Sequence, residues 1–350
     1  MVSFVIFMKF FSLGVGSAAA VLNTVVFLLV AALKGSMIGP YRILLMLYLL
    51  MNIFCSLVTT IFNPMFSIDE TSFTIFGPGL SGNQQVYSLC MVGFCFTIIG
   101  LIVVLCFSYV YRYFAICSQQ RLRLFSDYRA LTAFGSIALG FFATFTACSM
   151  IWMMPNASKS RLFEAHFIEH FGPVDMNSIS YMGAVSFVDD KLNFDFGLMF
   201  IIRVVCLVLP LTVITVCAAL IASSLRKQFA LISTSAHTTT RQYKLFILLI
   251  LQTTCPILLL YTPLTVLYLA SLLRYKDYLL CDAISISVTL AQFFDPFIVL
   301  CCVSDYRRAA IKLLKKVSSY KGTSVESSSL PGTRTECGLR HKNEHFHSNA

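Results

Sequence analysis

Residues 86–111 have the sequence VYSLCMVGFCFTIIGLIVVLCFSYVY, a run of 26 positions without Asp, Glu, Lys or Arg. An α-helix needs about 20 mostly apolar residues to cross the hydrocarbon core of a membrane. The strands of a membrane barrel would instead alternate apolar and polar side chains over about 10 residues. The run shows no such alternation, so it predicts a membrane-spanning helix.

Six further windows of the chain have a similar length and composition. Five of the seven windows contain no charged residue, whereas the fifth carries Arg203 and the seventh carries Asp282 and Asp295. The sequence therefore predicts an all-α integral membrane bundle of seven transmembrane helices, with a short amphipathic helix after the seventh span. The other six windows are 10–33, 43–62, 130–154, 196–225, 245–273 and 278–303.

The composition excludes an ordinary soluble domain. Hydrophobic residues make up 57% of the chain and charged residues 12%, against about 25% charged residues in soluble globular proteins. Most of the 13 cysteines lie in apolar runs, where a thiol behaves as a small hydrophobe and not as part of a disulfide framework. The net charge of +10 is spread over short loops and a tail, which indicates a membrane surface and no nucleic-acid partner.

The distribution of basic residues predicts the orientation, because Lys and Arg gather on the cytoplasmic side of membrane proteins. With the N-terminus outside, 19 basic residues fall on the inner side and 6 on the outer side. The first window lacks a basic stretch before its apolar run, so we expect a retained span and not a signal peptide. The sequon at Asn156 falls on the predicted outer side, and its glycosylation is left open.

The cytoplasmic end of the third window carries Tyr111-Arg112-Tyr113. One interpretation is a snorkelling arginine between two interfacial aromatic side chains. The other is an ionic switch that holds the inactive bundle and later faces a signalling partner. Position alone does not separate these two interpretations.

Prolines mark the sixth and seventh windows. Pro256 and Pro263 each remove one helical hydrogen bond, and two prolines in one span favour a hinge over a simple bend. In the seventh window, Asp295 precedes Pro296, which should leave a carbonyl near Gln292 unpaired. A carboxylate inside a membrane needs partners, and we expect a hydrated polar cluster with Gln292 and Asn23. A quiet structural hydrogen bond is the alternative.

These motifs together resemble the nematode serpentine chemoreceptors, most closely class r (Str), with sibling classes such as Srd and Srj as alternatives. The resemblance runs from the first span to about Arg308. Two departures from rhodopsin-like receptors accompany it: no cysteine occurs between Pro155 and Phe196 to pair with Cys90, and the sixth window has no tryptophan before Pro256. The stretches that carry the resemblance are 39–42, 111–114, Gln252 with Pro256, Tyr261 and Pro263, 295–307, and 169–183.

The resemblance implies an odorant-type G-protein-coupled receptor in the plasma membrane, in a sensory cilium, with no enzymatic activity. Its partners would be a small odorant-like ligand, a heterotrimeric G protein and membrane lipid, with no cofactor and no metal. A polytopic transporter or channel is the alternative, although the chain shows neither internal repeats nor a chain of intramembrane polar groups. Residues 1–317 would form the receptor domain and 318–350 a disordered, Ser/Thr-rich cytoplasmic tail.

The expected ligand pocket lies among the outer halves of the helices, and its residues are chosen by depth. Arg203 is expected to snorkel outward, with a pocket cation as the alternative. The activation switch would comprise Tyr111, Arg112, Tyr113, Pro256, Pro263, Asp295 and Pro296. The pocket candidates are Phe94, Arg203, Tyr261, Thr265, Tyr268, Ser285 and Thr289.

The predicted orientation can be tested with epitope tags on the full-length chain. A tag on the N-terminus should be stained on intact cells, whereas a tag after Ala350 should be stained only after permeabilisation. The physical reason is the excess of basic residues on the inner side. The opposite staining pattern would contradict the orientation.

Overall fold

The computed structural model describes residues 2–32, 40–77, 84–125, 127–171, 180–230, 236–302 and 307–312. Seven helical segments in these ranges are long and apolar enough to cross a membrane, which confirms the predicted seven-helix bundle. The side on which the N-terminus lies stays a prediction. The tail from 318 onward, Gly39 and the stretch 172–179 lie outside the described residues.

Nine α-helices make up most of the described chain. Each of the first five spans is a single helix: α1 (Val2–Ala32), α2 (Pro40–Phe62), α3 (Gln84–Cys117), α4 (Tyr128–Trp152) and α6 (Phe194–Ala230). Between α4 and α6 lies a shorter helix, α5 (Ala157–Phe171), which the sequence analysis did not predict. The sixth span is α7 (Ala236–Pro256), a π-helical turn (Ile257–Tyr261) and α8 (Thr262–Leu272), and the seventh is α9 (Tyr278–Cys302).

Several helices extend beyond the apolar windows. α3 continues past Arg112 to Cys117, and α6 continues through Arg226 and Lys227 to Ala230. Charged residues end an apolar window, but they do not end a helix, because backbone hydrogen bonds continue into the aqueous layer. A short 3-10 helix (Gln119–Phe125) follows α3. Residues 307–312 are also helical, after α9.

A small antiparallel sheet covers one end of the bundle, and the sequence analysis did not predict it. Its strands are β1 (Met65–Asp69), β2 (Ser72–Gly77) and β3 (Ser180–Val185), in the order β1-β2-β3. Phe66 pairs with Ile75, and Ile75 pairs in turn with Met182. A second hairpin of β4 (Phe187–Val188) and β5 (Lys191–Leu192) leads into α6.

The two faces of the three-stranded sheet are both covered. Alternation of side chains along each strand turns Phe66, Phe73 and Ile75 toward the main core of the bundle. The opposite face places Phe76 and Tyr181 in a second core with α5. The sheet is therefore buried on both sides, between the bundle and α5.

Glycine is required where α5 packs on the sheet. A Cβ atom at Gly183 would lie 2.8 Å from the ring of Phe163 and 2.8 Å from the carbonyl oxygen of Phe73. Real Cβ atoms do not approach so closely, so a side chain here would push α5 away from β3. The Gly183 N–H also donates to the Met153 carbonyl (3.0 Å), which ties the sheet to the end of α4.

Candidate functional site

A cavity of about 150 Å³ lies beneath the sheet, between α3, α6 and α8. Phe66 and Ile75 of the sheet form its cover, while Ile98 and Leu264 line its walls. An apolar cavity of this volume in another protein holds benzene, so the space suits a molecule of that size. Most of the lining is apolar, with a small number of polar side chains, as in many sites for small ligands.

The cavity brings together five of the seven pocket candidates. Ser285 and Thr289 do not line it, because none of the described residues of α9 borders this cavity. Ser285 Oγ accepts a hydrogen bond from the Phe66 N–H (3.2 Å), and Thr289 Oγ1 donates to the Ser285 carbonyl (3.0 Å). Spacing places both on one helix face but does not reveal which way that face turns. The five that line the cavity are Phe94, Arg203, Tyr261, Thr265 and Tyr268.

Arg203 points into the bundle and does not snorkel outward, contrary to the favoured expectation. Its side chain is only 6% exposed. The guanidinium donates to the Tyr268 hydroxyl and, over 2.7 Å, to Ser149 Oγ. It also lies 4.6 Å from the centre of the Phe145 ring, in a cation–π contact. The ring of Phe145 and the hydroxyls of Tyr268 and Ser149 therefore stabilise the cation inside the bundle.

The cavity is connected to the π-helical turn through Tyr261. This tyrosine lines the cavity and ends the turn, and its hydroxyl donates to the Ile98 carbonyl of α3 (2.8 Å). Tyr268, one to two turns further on, packs edge-on against Phe73 of the sheet with ring centres 4.9 Å apart. A ligand in the cavity would therefore touch side chains that fix the sixth span to both α3 and the sheet.

Asp295 is buried in the middle of the bundle, with two donors on α2 and the thiol of Cys255 on α7 as a further hydrogen-bond partner. The carboxylate accepts hydrogen bonds from the Tyr48 hydroxyl (2.8 Å) and from Asn52 Nδ2 (3.0 Å). Gln292 and Asn23, the expected partners of Asp295, are not the donors of these two hydrogen bonds. The amide of Gln292 donates instead to Thr59 Oγ1 (3.0 Å). The direction in which each side chain of α9 points therefore determines its partner, for Gln292 as for Ser285.

The carbonyl that Pro296 leaves free is bound by a side chain of another helix. Pro296 has no N–H, so the Gln292 carbonyl one turn earlier lacks its helical donor. Asn23 Nδ2 of α1 donates to that carbonyl over 3.2 Å. Asn23 therefore lies in this cluster through the backbone of Gln292 and not through a bond to the Asp295 carboxylate.

The two prolines of the sixth span follow the same rule. The Gln252 carbonyl, four residues before Pro256, lies 3.3 Å from the Tyr48 hydroxyl of α2, whose single hydrogen is shared between this carbonyl and Asp295. The Leu259 carbonyl, four residues before Pro263, accepts from Ser287 Oγ of α9 (2.9 Å). Tyr48 therefore joins the sixth span to Asp295, since the same hydroxyl contacts both.

Arg112 is buried near the inner end of the bundle, with 3% of its side chain exposed. The guanidinium lies 3.8 Å from the centre of the Tyr41 ring of α2. Arg112 Nη1 donates to Gln242 Oε1 of α7 (3.1 Å). Burial contradicts the snorkelling interpretation, and both contacts are to neutral groups and not to the carboxylate of an ionic lock. Tyr111 is buried beside Tyr41, whereas Tyr113 is half-buried.

Asn156 begins α5, where its side-chain oxygen accepts from the Lys159 N–H (2.9 Å). The Lys159 ammonium donates to the carbonyls of Trp152 (2.8 Å) and Met154 (3.1 Å), at the C-terminal end of α4. Burial lowers the pKa of Lys159, and the charge of Asp195 partly opposes that shift. Asn156 is exposed, and its glycosylation stays a prediction.

The described part of the chain contains no group of three His, Cys, Asp or Glu side chains suited to a metal ion. Cys90 is a free thiol in the structure. The cysteines that border the cavity and the Asp295 cluster, Cys95 and Cys55, are free as well. In the described residues, the cavity and the Asp295 cluster are therefore held together by packing and hydrogen bonds.

Comparison with known proteins gives a family match over most of the chain. The family model described as serpentine type 7TM GPCR chemoreceptor Str matches residues 8–311. A protein named serpentine receptor class r-10 from Caenorhabditis briggsae is 22% identical over 316 residues, covering 87% of this chain and 90% of its own length. Its namesake from Caenorhabditis elegans is 21% identical over 292 residues, covering 80% and 83%.

The contacts of Asp295 predict two different outcomes for two substitutions. Asp295→Asn keeps an acceptor for Tyr48 and Asn52, so the chain should reach the cell surface normally. Asp295→Leu removes the acceptor of Asn52 and leaves Tyr48 with only the longer contact to the Gln252 carbonyl. An unsatisfied buried group costs about 1–3 kcal/mol, so the substitution should reduce surface expression severalfold. Flow cytometry of a tagged chain measures both.

Asp282→Leu provides the matched control, because Asp282 lies in the first turns of the same helix and is only partly buried. Its surface level should stay close to that of the unmodified chain. Equal surface expression of Asp295→Leu and Asp282→Leu would show that the contacts of Asp295 do not stabilise the bundle.

Proposed function

Because the chain belongs to the serpentine 7TM GPCR chemoreceptor family Str, we propose that it is an odorant-type receptor that binds a small external ligand and activates a heterotrimeric G protein. The family is one of multi-pass membrane receptors and not of enzymes. The observation that carries the proposal is the cavity of about 150 Å³ under the sheet. It is closed toward one end of the bundle by residues from β1 and β2.

The size and chemistry of the cavity support a small odorant as the ligand. Apolar and aromatic walls favour a molecule with a hydrocarbon body, since burial of apolar surface drives such binding. The few polar side chains, including Thr265 and Tyr268, would fix its orientation. The pocket candidates Ser285 and Thr289 act indirectly in this proposal, because Ser285 holds Phe66, a cover residue, through its backbone N–H.

A chain of contacts supports transmission from the cavity toward the opposite end of the bundle. Tyr261 lines the cavity and belongs to the π-helical turn. The turn follows Pro256, whose freed carbonyl at Gln252 contacts Tyr48, and Tyr48 contacts Asp295. We propose that ligand binding shifts the sixth span about this turn, since π-turns and prolines are common sites of helix bending.

Arg112 supports the final step of the proposal. It bridges α2 and α7 through Tyr41 and Gln242, so a movement of α7 would break one of its contacts. The 3-10 helix that follows α3 carries Arg121 and Arg123, both exposed. Those cations would meet an acidic face of a G protein. Tyr111, Tyr113, Pro263 and Pro296 complete the proposed switch.

The proposed location is the plasma membrane of a sensory cell, in its cilium, with the N-terminus outside and the tail from 318 onward in the cytoplasm. The sheet and α5 would then face the exterior, beside the predicted sequon at Asn156. The exposed apolar side chains of α4, such as Leu131, Ile137 and Leu139, support contact with lipid.

A cavity-filling substitution tests where the ligand binds. Leu207 lines the cavity, whereas Leu209 on the same helix is 52% exposed and faces outward. Leu207→Trp should abolish calcium responses to an odorant that activates the unmodified chain, because the larger ring occupies the ligand's space. Leu209→Trp should leave the responses unchanged.

Calcium imaging of cells that express the full chain with a promiscuous G protein, across a panel of small odorants, provides the measurement. Surface staining must be equal for both variants. Equal responses of Leu207→Trp and Leu209→Trp would contradict a ligand site in this cavity. A chain at the surface that responds to no odorant would contradict the proposed function as a whole.

A further inference from the structure

The cavity contains a buried cation that lacks a carboxylate partner. Arg203 is 94% buried and lines the cavity. Its hydrogen-bond acceptors are the hydroxyls of Tyr268 and Ser149 and the sulfur of Met153. All three are neutral, and its other close contacts are the rings of Phe145 and Tyr268.

The remaining titratable neighbours of Arg203 are thiols and not carboxylates. They are the side chains of Cys95 and Cys148. Arginine itself stays protonated in proteins. A full positive charge therefore lies in an apolar wall with no negative charge among the described residues that contact it.

One donor of the guanidinium is also unused. The Nε atom of Arg203 is buried and has no hydrogen-bond partner among the described residues. A buried donor without a partner and a buried charge without a counter-ion are both unfavourable. Cation–π contacts compensate for part of this cost, but they supply neither a negative charge nor an acceptor.

We propose that the ligand of this cavity carries a carboxylate, which pairs with Arg203, on a hydrocarbon body no larger than a benzene ring. This inference rests on the proposed function, because it identifies the chemical class of the ligand in the same cavity. A carboxylate matches the planar donors of a guanidinium and forms short, charge-assisted hydrogen bonds. The cavity volume of about 150 Å³ limits the body to a short chain or a single ring.

Aromatic lining residues suit the body of such an acid. Phe94 and Phe200 share the cavity with Arg203, and Ile98 and Leu264 complete an apolar surface next to the charge. A neutral ligand of equal shape would fill the same space but would leave the charge of Arg203 uncompensated. The site should therefore discriminate between a carboxylate and its neutral amide.

Thermal unfolding of the purified full-length chain in detergent tests this discrimination directly. The probes are butanoate, pentanoate, hexanoate and benzoate, each compared with its primary amide. At least one carboxylate should raise the Tm at a concentration where its amide does not, since only the carboxylate pairs with the cation. Arg203→Gln should weaken carboxylate binding about 10- to 100-fold, and Arg203→Lys should weaken it less.

Arg274→Gln is the matched control, because Arg274 is an exposed arginine that pairs with Asp190 outside the cavity. It should keep the carboxylate effect. Equal Tm shifts with acids and amides, no shift with any acid, or an unchanged shift in Arg203→Gln would each overturn the inference. The comparison of acid with amide uses the unmodified chain alone. It therefore tests the inference even if Arg203→Gln folds poorly.

Calcium imaging with the same probes separates this inference from the proposed function. Carboxylates that bind through Arg203 without any cellular response would support the inference and contradict the proposed signalling. Cells that respond to the amides and not to the acids would support the proposed function and overturn the inference.

Discussion

The bundle depends on a constraint that water does not relieve: a backbone carbonyl freed by proline inside a membrane is stabilised by a donor from the protein. Four prolines lie within the described spans, and three of them, Pro256, Pro263 and Pro296, free a carbonyl one turn earlier that accepts from another helix; Pro210 of α6 is the fourth. The donors are Tyr48, Ser287 and Asn23, and each lies on a helix other than that of the carbonyl. Bends that would weaken single helices therefore become contacts between helices.

This arrangement divides the molecule into layers along the bundle. The sheet and the cavity with Arg203 occupy one end, the Asp295 cluster the middle, and Arg112 with Tyr41 the other end. The sixth span passes through all three layers and is the one interrupted by a π-helical turn. Its proline-freed carbonyls accept from side chains of α2 and α9, so the sixth span is attached to both helices along its length.

The sequence predicts the spans, because each requires only a long apolar run, but not the shorter elements between them, α5 and the strands of the sheet. The chemistry of proline predicts a freed carbonyl near Gln292, and only the structure identifies Asn23 as its donor. The sheet was not predicted because β2 pairs with β3, more than 100 residues away. Each of these strands lies in a segment between two apolar windows, which the sequence indicates only as a loop. Arg203 and Ser285 were misplaced because the position of a residue along a helix does not reveal the direction in which its side chain points. The hydrogen bonds of Arg203 to Ser149 and of the Phe66 N–H to Ser285 show these directions.

The central claim is that a freed carbonyl makes its cross-helix donor necessary, and a double-mutant cycle on Pro296 and Asn23 tests it most directly. Asn23→Ala should lower the Tm of the purified chain, because the Gln292 carbonyl then lacks a donor. Pro296→Ala supplies an N–H to that carbonyl, so the same Asn23→Ala change should cost less in that background. A coupling of about 0.6–1.7 kcal/mol, typical of hydrogen bonds between membrane helices, would support the account. An equal loss of Tm in both backgrounds would contradict it.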